Sequence, residues 1–115
     1  MKKYNQGDIV YIDFQYIDKK SGSKPRPCLV ISNKSSNGID GDILVCPITS
    51  TIRLTSFSVI IDNKDLSRSL PKECEIRTNK VFTYASKKVL SKHGEIINTA
   101  KLEEIINKVI SAIKC

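Results

Sequence analysis

Lys24-Pro25-Arg26-Pro27-Cys28-Leu29-Val30-Ile31-Ser32-Asn33 joins a proline-stiffened, charged segment to an apolar, β-branched run. Each proline fixes its own φ and pushes the residue before it toward extended geometry, so Arg26 is held between two restricted positions. Cys28 to Ile31 reads as a short, largely buried strand that anchors the segment to a core. The stretch therefore predicts a stiff loop presenting Arg26, followed by an interior strand. A proline-marked start of a strand with a solvated arginine is the other reading of the same residues.

Upstream, Gly7-Asp8-Ile9-Val10-Tyr11-Ile12-Asp13-Phe14 begins at a glycine turn and alternates, with Val10, Ile12 and Phe14 on one face, as a strand does. Between the two strands, Gln15 to Ser23 is a polar loop with Lys19 and Lys20. It reads equally as a substrate clamp beside Arg26 and as a solvated hairpin. Downstream, Asn33 to Gly41 is dense in Ser, Asn, Gly and Asp and is expected to be a turn. Asp42 to Ile48 is the next strand, and Pro47 places its end at an edge or a bulge because proline cannot donate to a ladder. Thr49, Ser50 and Thr51 follow, three hydroxyls that suit a turn or, beside an arginine, a phosphate.

Phe57 to Ile61 is a further strand, Asp62 to Lys72 a polar, basic stretch, and Ile76 and Val81 to Tyr84 give two more strand signals. If the chain is extended there, Arg77 and Asn79 share a face, which an ordinary surface ladder of polar side chains also explains. His93-Gly94 is expected to be a turn, with the single histidine solvated in it. The last element is an amphipathic helix: Leu102, Ile105, Ile106, Val109, Ile110 and Ile113 recur at helical spacing, with Asn98 or Thr99 as the cap. Several short strands with regular turn signals and one terminal helix predict a mostly-β barrel or sandwich in a single domain, residues 1–115.

The chain of 115 residues carries a formal net charge of +7, from 19 Lys and Arg against 12 Asp and Glu, which favours phosphate polyanions as partners. Cys28, Cys46, Cys74 and Cys115 are widely spaced with no histidine partners, so neither a zinc site nor another metal or cofactor is expected. With no leader-like start and no long apolar run, the expected location is the cytoplasm, with reduced thiols and no membrane partner.

The order Gly7-Asp8-Ile9-Val10, Arg26-Pro27-Cys28-Leu29-Val30-Ile31-Ser32, Pro47-Ile48-Thr49-Ser50 and Ile76-Arg77-Thr78-Asn79-Lys80-Val81-Phe82-Thr83 resembles the MazF/PemK toxins of bacterial type II toxin–antitoxin pairs. The Arg-Pro-x-Leu-Val-Ile strand followed about twenty residues later by Pro-Ile-Thr is its most specific signal. The resemblance implies a mostly-β SH3-like barrel of the CcdB/PemK/MazF type with a C-terminal helix, forming a homodimer. It also implies a metal-independent, sequence-specific endoribonuclease that cleaves single-stranded RNA through the 2′-OH, and an acidic MazE- or PemI-like antitoxin as partner. Carried over by position, the catalytic residues fall on Arg26, Thr49 and Arg77. Substrate contacts are then expected from Lys19, Lys20, Lys24, Ser50, Thr51 and Asn79. Asn79 stands where the family often has an acid, so proton transfer would be arranged differently here.

A guanidinium keeps its proton across the working pH range, so Arg26 suits stabilisation of developing negative charge better than general-base work. Two other classes fit the same sequence: a CcdB-like gyrase inhibitor on a related barrel, and a non-enzymatic SH3-like binding module. With no tryptophan, four tyrosines and three phenylalanines, the chain offers little for an aromatic peptide groove.

Overall fold

A computed structural model describes residues 3–14 and 24–114. The loop from Gln15 to Ser23, with Lys19 and Lys20, and the terminal Cys115 lie outside the described residues. Among the described residues seven strands are arranged antiparallel: β1 (Asp8–Phe14), β2 (Lys24–Val30), β3 (Asp42–Thr49), β4 (Ser58–Ile61), β5 (Cys74–Arg77), β6 (Phe82–Ala85) and β7 (Ser91–Glu95). Their order is β4-β5-β3-β2-β1-β7, with β6 paired to β3. Two helices, α1 (Lys34–Asp40) and α2 (Thr99–Ile113), complete the fold.

The sheet curls until the chain just past β4 meets the chain just past β7. Leu66 and Ile96 form an antiparallel bridge there, and Ser67 N–H donates to the Glu95 carbonyl at 2.9 Å. Gly94 lies at this seam because a Cβ would stand 2.8 Å from Ser67 Oγ and 3.2 Å from Arg68 Cβ. Close approach of two chain segments, and not a turn, explains the glycine. His93-Gly94 therefore belongs to a strand, and Gly94 pairs with Ile9.

Alternation along the strands creates two cores, as the two-residue period requires. Ile9, Leu29, Cys46, Ile48 and Ile76 face α2 and pack with Ile105 and Val109. Val10, Ile12, Cys28, Val30, Ile43 and Val45 face the other way and pack with Tyr4 and Val89. Asn98 caps α2 by accepting from Lys101 N–H at 3.2 Å, and its side-chain amide donates to Asp65 Oδ1 at 2.9 Å. Ile110 and Ile113, further along α2, remain exposed. No helix among the described residues is long and apolar enough to cross a membrane.

Two further expectations are corrected. Asn33 to Gly41 is not a turn but holds α1, because Asn33 caps its start by accepting from Ser36 N–H at 2.9 Å and Gly41 ends it at φ +74°. The segment around Arg26 is not a loop but the first half of β2, with Pro25 opposite Asp13 and Pro27 opposite Tyr11. Gly7 N–H donates to the Val30 carbonyl and Ile31 N–H to the Leu44 carbonyl. Even-numbered residues of β2 thus turn their main-chain groups to β1 and odd-numbered ones to β3. Both prolines aim their missing N–H toward β3, whose pairing with β2 starts only at Cys28. No ladder hydrogen bond is lost. Pro47 is tolerated similarly: it lies where the partner along that edge of β3 changes from β6 to β5.

Candidate active site

The β2–β3 register pairs Cys28 with Pro47, Leu29 with Cys46 and Val30 with Val45. Val30, Val45 and Cys28 share a core, so Arg26 and Thr49, two residues beyond Cys28 and Pro47, continue that face toward its polar end. Carrying the register on by two residues sets Arg26 opposite Thr49. On the far side of β3, Thr49 pairs with Glu75, and Arg77 stands two residues along β5 opposite Ser58 of β4. Arg26, Thr49, Glu75, Arg77 and Ser58 therefore form one polar patch across four adjacent strands. Three of the expected residues, Arg26, Thr49 and Arg77, are brought to the same face.

Arg26 is exposed and Thr49 half-buried. Thr49 Oγ1 accepts from Thr51 N–H at 3.1 Å, a bond that occupies a lone pair and not the hydroxyl proton. Arg77 Nη2 donates to the Thr51 carbonyl at 3.4 Å. Its Nε lies 3.3 Å from Glu75 Oε2, an ion pair without hydrogen-bond geometry. The Thr51 main chain thus bridges the threonine and the second arginine.

Glu75, which sequence reasoning did not single out, is fully buried and organises the patch. Its Oε1 accepts from Arg53 N–H at 2.9 Å and Leu54 N–H at 3.1 Å, and its Oε2 from Ser58 Oγ at 3.0 Å. Burial pushes the carboxyl up, but the Arg53 and Leu54 amides, the Ser58 hydroxyl and the Arg77 charge together hold it below its ordinary 4.5. For both amides to converge on one oxygen the loop between β3 and β4 turns through Leu54 at φ +52°, where L-residues are rarely found. Leu54 and Ile52 stay exposed beside the patch. The signal available in the sequence was the alternation Cys74-Glu75-Ile76-Arg77, an acid and a base on one face of a strand otherwise buried.

The other expected contacts are less tightly placed. Lys24, Ser50 and Thr51 are exposed at the start of β2 and the end of β3. Asn79 does not share Arg77's face by strand alternation, because β5 stops at Arg77 and a turn follows. Thr78 ends the strand: its N–H donates to the Phe57 carbonyl at 3.2 Å and its Oγ1 to the same carbonyl at 2.6 Å. Asn79 is left exposed in that turn. His93 lies in β7, at the far end of the strand order, with Nε2 3.0 Å from the Ser69 carbonyl and its ring edge-on to Tyr11. It is a partnered strand residue and not a solvated loop residue.

Cys28 and Cys46 are buried thiols pushed up to about 12 by burial, a state that suppresses nucleophilicity. No three His, Cys, Asp or Glu side chains among the described residues converge into a set able to hold a metal ion.

The family described as PemK-like, MazF-like toxin of type II toxin–antitoxin system matches residues 5–113. Among curated protein sequences none matches the chain. Solved structures of similar shape include MazF from Deinococcus radiodurans, at 20% identity and a TM-score of 0.78 over 100% of both chains. An endoribonuclease from a mycobacterial species has 18% identity and a TM-score of 0.77, covering 98% of this chain and 93% of that one. MazF in a MazE–MazF complex from Deinococcus radiodurans has 19% identity and a TM-score of 0.77, covering 98% and 97%. At such identities the structural likeness speaks to the fold, a curled antiparallel half-barrel closed by a C-terminal helix.

Proposed function

The chain belongs to the PemK-like, MazF-like toxins of type II toxin–antitoxin systems, and from that premise we propose that it is a sequence-specific endoribonuclease acting on single-stranded RNA without a metal. The observation that supports the reading is the β2–β3 register, with Cys28 opposite Pro47, which carried on by two residues sets Arg26 across from Thr49 on one face. The ribose 2′-oxygen attacks the adjacent phosphorus as its proton passes to water. The new O2′–P bond forms, the P–O5′ bond breaks, and the departing 5′-oxygen takes up a proton from water. The products are a 2′,3′-cyclic phosphate and a 5′-hydroxyl. Negative charge accumulates on the non-bridging oxygens, where the Arg26 guanidinium stabilises it. Thr49 donates its hydroxyl proton to the phosphate and fixes its position, Arg77 adds a second cation, and Asn79 orients the chain. Lys19, Lys20, Lys24, Ser50 and Thr51 hold the flanking backbone, and unstacked bases are read on their edges.

Residues 1–115 act as one toxin domain in the cytoplasm in this reading, as a homodimer to which the exposed Ile110 and Ile113 contribute. The inhibiting partner is an acidic antitoxin, matched to a surface of net charge +7.

The test is cleavage of a mixed-sequence RNA by purified protein in EDTA, beside an all-deoxy copy. Cleavage that survives chelation, leaves cyclic phosphate ends and spares the deoxy strand is expected. A requirement for added metal would overturn the mechanism, and inhibition of gyrase without RNA cleavage would move the chain to the CcdB-like activity. Binding should also weaken steeply with salt, by roughly 20-fold between about 50 and 200 mM for about three neutralised phosphates on a single strand. A flat titration of binding against salt would count against a phosphate-holding groove.

A further inference from the structure

We propose that Glu75 is a positioning residue for the cleavage reaction: its carboxylate sets the Arg77 guanidinium and the β3–β4 loop against the phosphate, an inference that rests on the endoribonuclease reading above.

Glu75 is an acid buried in β5. Cys74 and Ile76 on either side are core residues, and a carboxylate beside them is costly to desolvate unless every lone pair is used. Glu75 divides its two oxygens between two tasks. Oε1 holds the loop through the Arg53 and Leu54 amides, while Oε2 takes the Ser58 hydroxyl and faces Arg77 Nε at 3.3 Å. A neutral acceptor would serve the first task. Only the charge serves the second, because Arg77 Nε is buried and has no hydrogen-bond partner among the described residues. The other described tether of the guanidinium is the Thr51 carbonyl at 3.4 Å, and Thr51 belongs to the loop whose later amides Glu75 holds. Both ends of the Arg77 fork are therefore referred to one carboxylate. The Thr51 contact engages one of the five guanidinium donors, and both it and the approach of Nε to Glu75 are long, as groups that tighten on substrate often are. Thr49 pairs with Glu75 across the ladder, so the same strand position also fixes the hydroxyl beside the phosphate.

Glu75→Gln separates the tasks, since the amide oxygen can still accept from the loop while the charge facing Arg77 is lost. The experiment compares wild type, Glu75→Gln, Arg77→Ala and the double variant on a short RNA that the wild-type chain cleaves. Glu75→Gln is expected to lower kcat roughly 10-fold, by analogy with weakening one transition-state donor, with KM within about twofold. Arg77→Ala should lower kcat further, and the double variant should match Arg77→Ala, because Glu75 acts through that side chain. The Arg77 Nε–H resonance of 15N-arginine-labelled protein should shift in Glu75→Gln while the melting curve stays cooperative. A double variant whose loss is the product of the single losses would overturn the inference, as would full kcat in Glu75→Gln. If Glu75 merely neutralised Arg77, removing its charge would tighten RNA binding and lower KM at unchanged kcat, which would also overturn it. Failure of the wild-type chain to cleave RNA would bring down the enzymatic reading and this inference together, whereas cleavage indifferent to Glu75 would bring down this inference alone.

Discussion

Arg26→Ala is expected to lower kcat by about 10² to 10³, the usual consequence of removing one preorganised donor from a developing oxyanion. The fold should be indifferent to the change. Arg26 is exposed at the polar end of β2, and its backbone stays held by the pairing with Ile12 of β1. Its side chain contributes nothing to either core. Single-turnover cleavage of RNA by the variant, beside thermal melts of both proteins, checks the two halves together. A large loss of rate at an unchanged melting temperature is the expected pattern. Near-normal cleavage would remove Arg26 from the mechanism, and a fall in melting temperature matching the loss of activity would make the effect structural. Arg26→Lys should recover only part of the rate, because an ammonium supplies a point charge without the planar fork.

Glu75→Ala should have the largest effect on stability. Removing one partner of a buried pair typically costs about 3–5 kcal/mol, and the lower end applies here because Arg77 keeps some access to water. At about 3 kcal/mol a protein of this size loses roughly 10 °C in melting temperature. The pH dependence follows from the direction of the shift. The folded carboxyl titrates below its ordinary 4.5, so the folded state prefers the ionised form. That contribution is complete above 4.5 and is lost as the pH falls through the folded-state value. Asp65 adds a second loss of the same sign beginning below 3.8. Burial raises it, but the Asn98 amide, the Asp62 N–H and the Lys101 and Lys64 charges outweigh burial. Melting temperatures taken from about pH 6 down to about pH 3 should therefore show wild type and Glu75→Ala converging below about 4.5. A constant gap between them across that range would mean that the Glu75 charge does not contribute to stability.

How far the sequence could be read depended on whether a signal was local. β1, β3, β4 and α2 were legible because their apolar residues repeat at the period of the element they form. The Arg-Pro and Pro-Ile-Thr segments were legible as a pair through the resemblance they carry. Asn33 to Gly41 misled because a helix of this length is nearly all caps, and capping residues are turn residues too. Pro25 and Pro27 misled because proline forbids a strand only where a ladder needs its N–H, and that depends on where β3 begins to pair. Glu75 was passed over for a different reason. Its alternation with Arg77 was in the sequence, but the donors that surround its carboxylate, at Arg53, Leu54 and Ser58, lie about twenty residues away, where no local pattern points.

The seam between Leu66 and Ile96 divides the barrel into regions of unequal protection. Among the described residues one bridge and the donors at Ser67, Glu95, Ile97 and Asn98 close the sheet there, whereas β1, β2 and β3 are laced by ladders. Local opening follows the line of fewest hydrogen bonds. Opening is therefore expected first along the edge where the chain past β4 meets the chain past β7, and the cap of α2 is tied to that edge through Asn98 and Asp65. The row from Arg26 to Arg77 lies across the middle of the sheet, away from that edge. Opening at the seam would loosen the start of α2 while Arg26, Thr49 and Arg77 keep their spacing on the sheet.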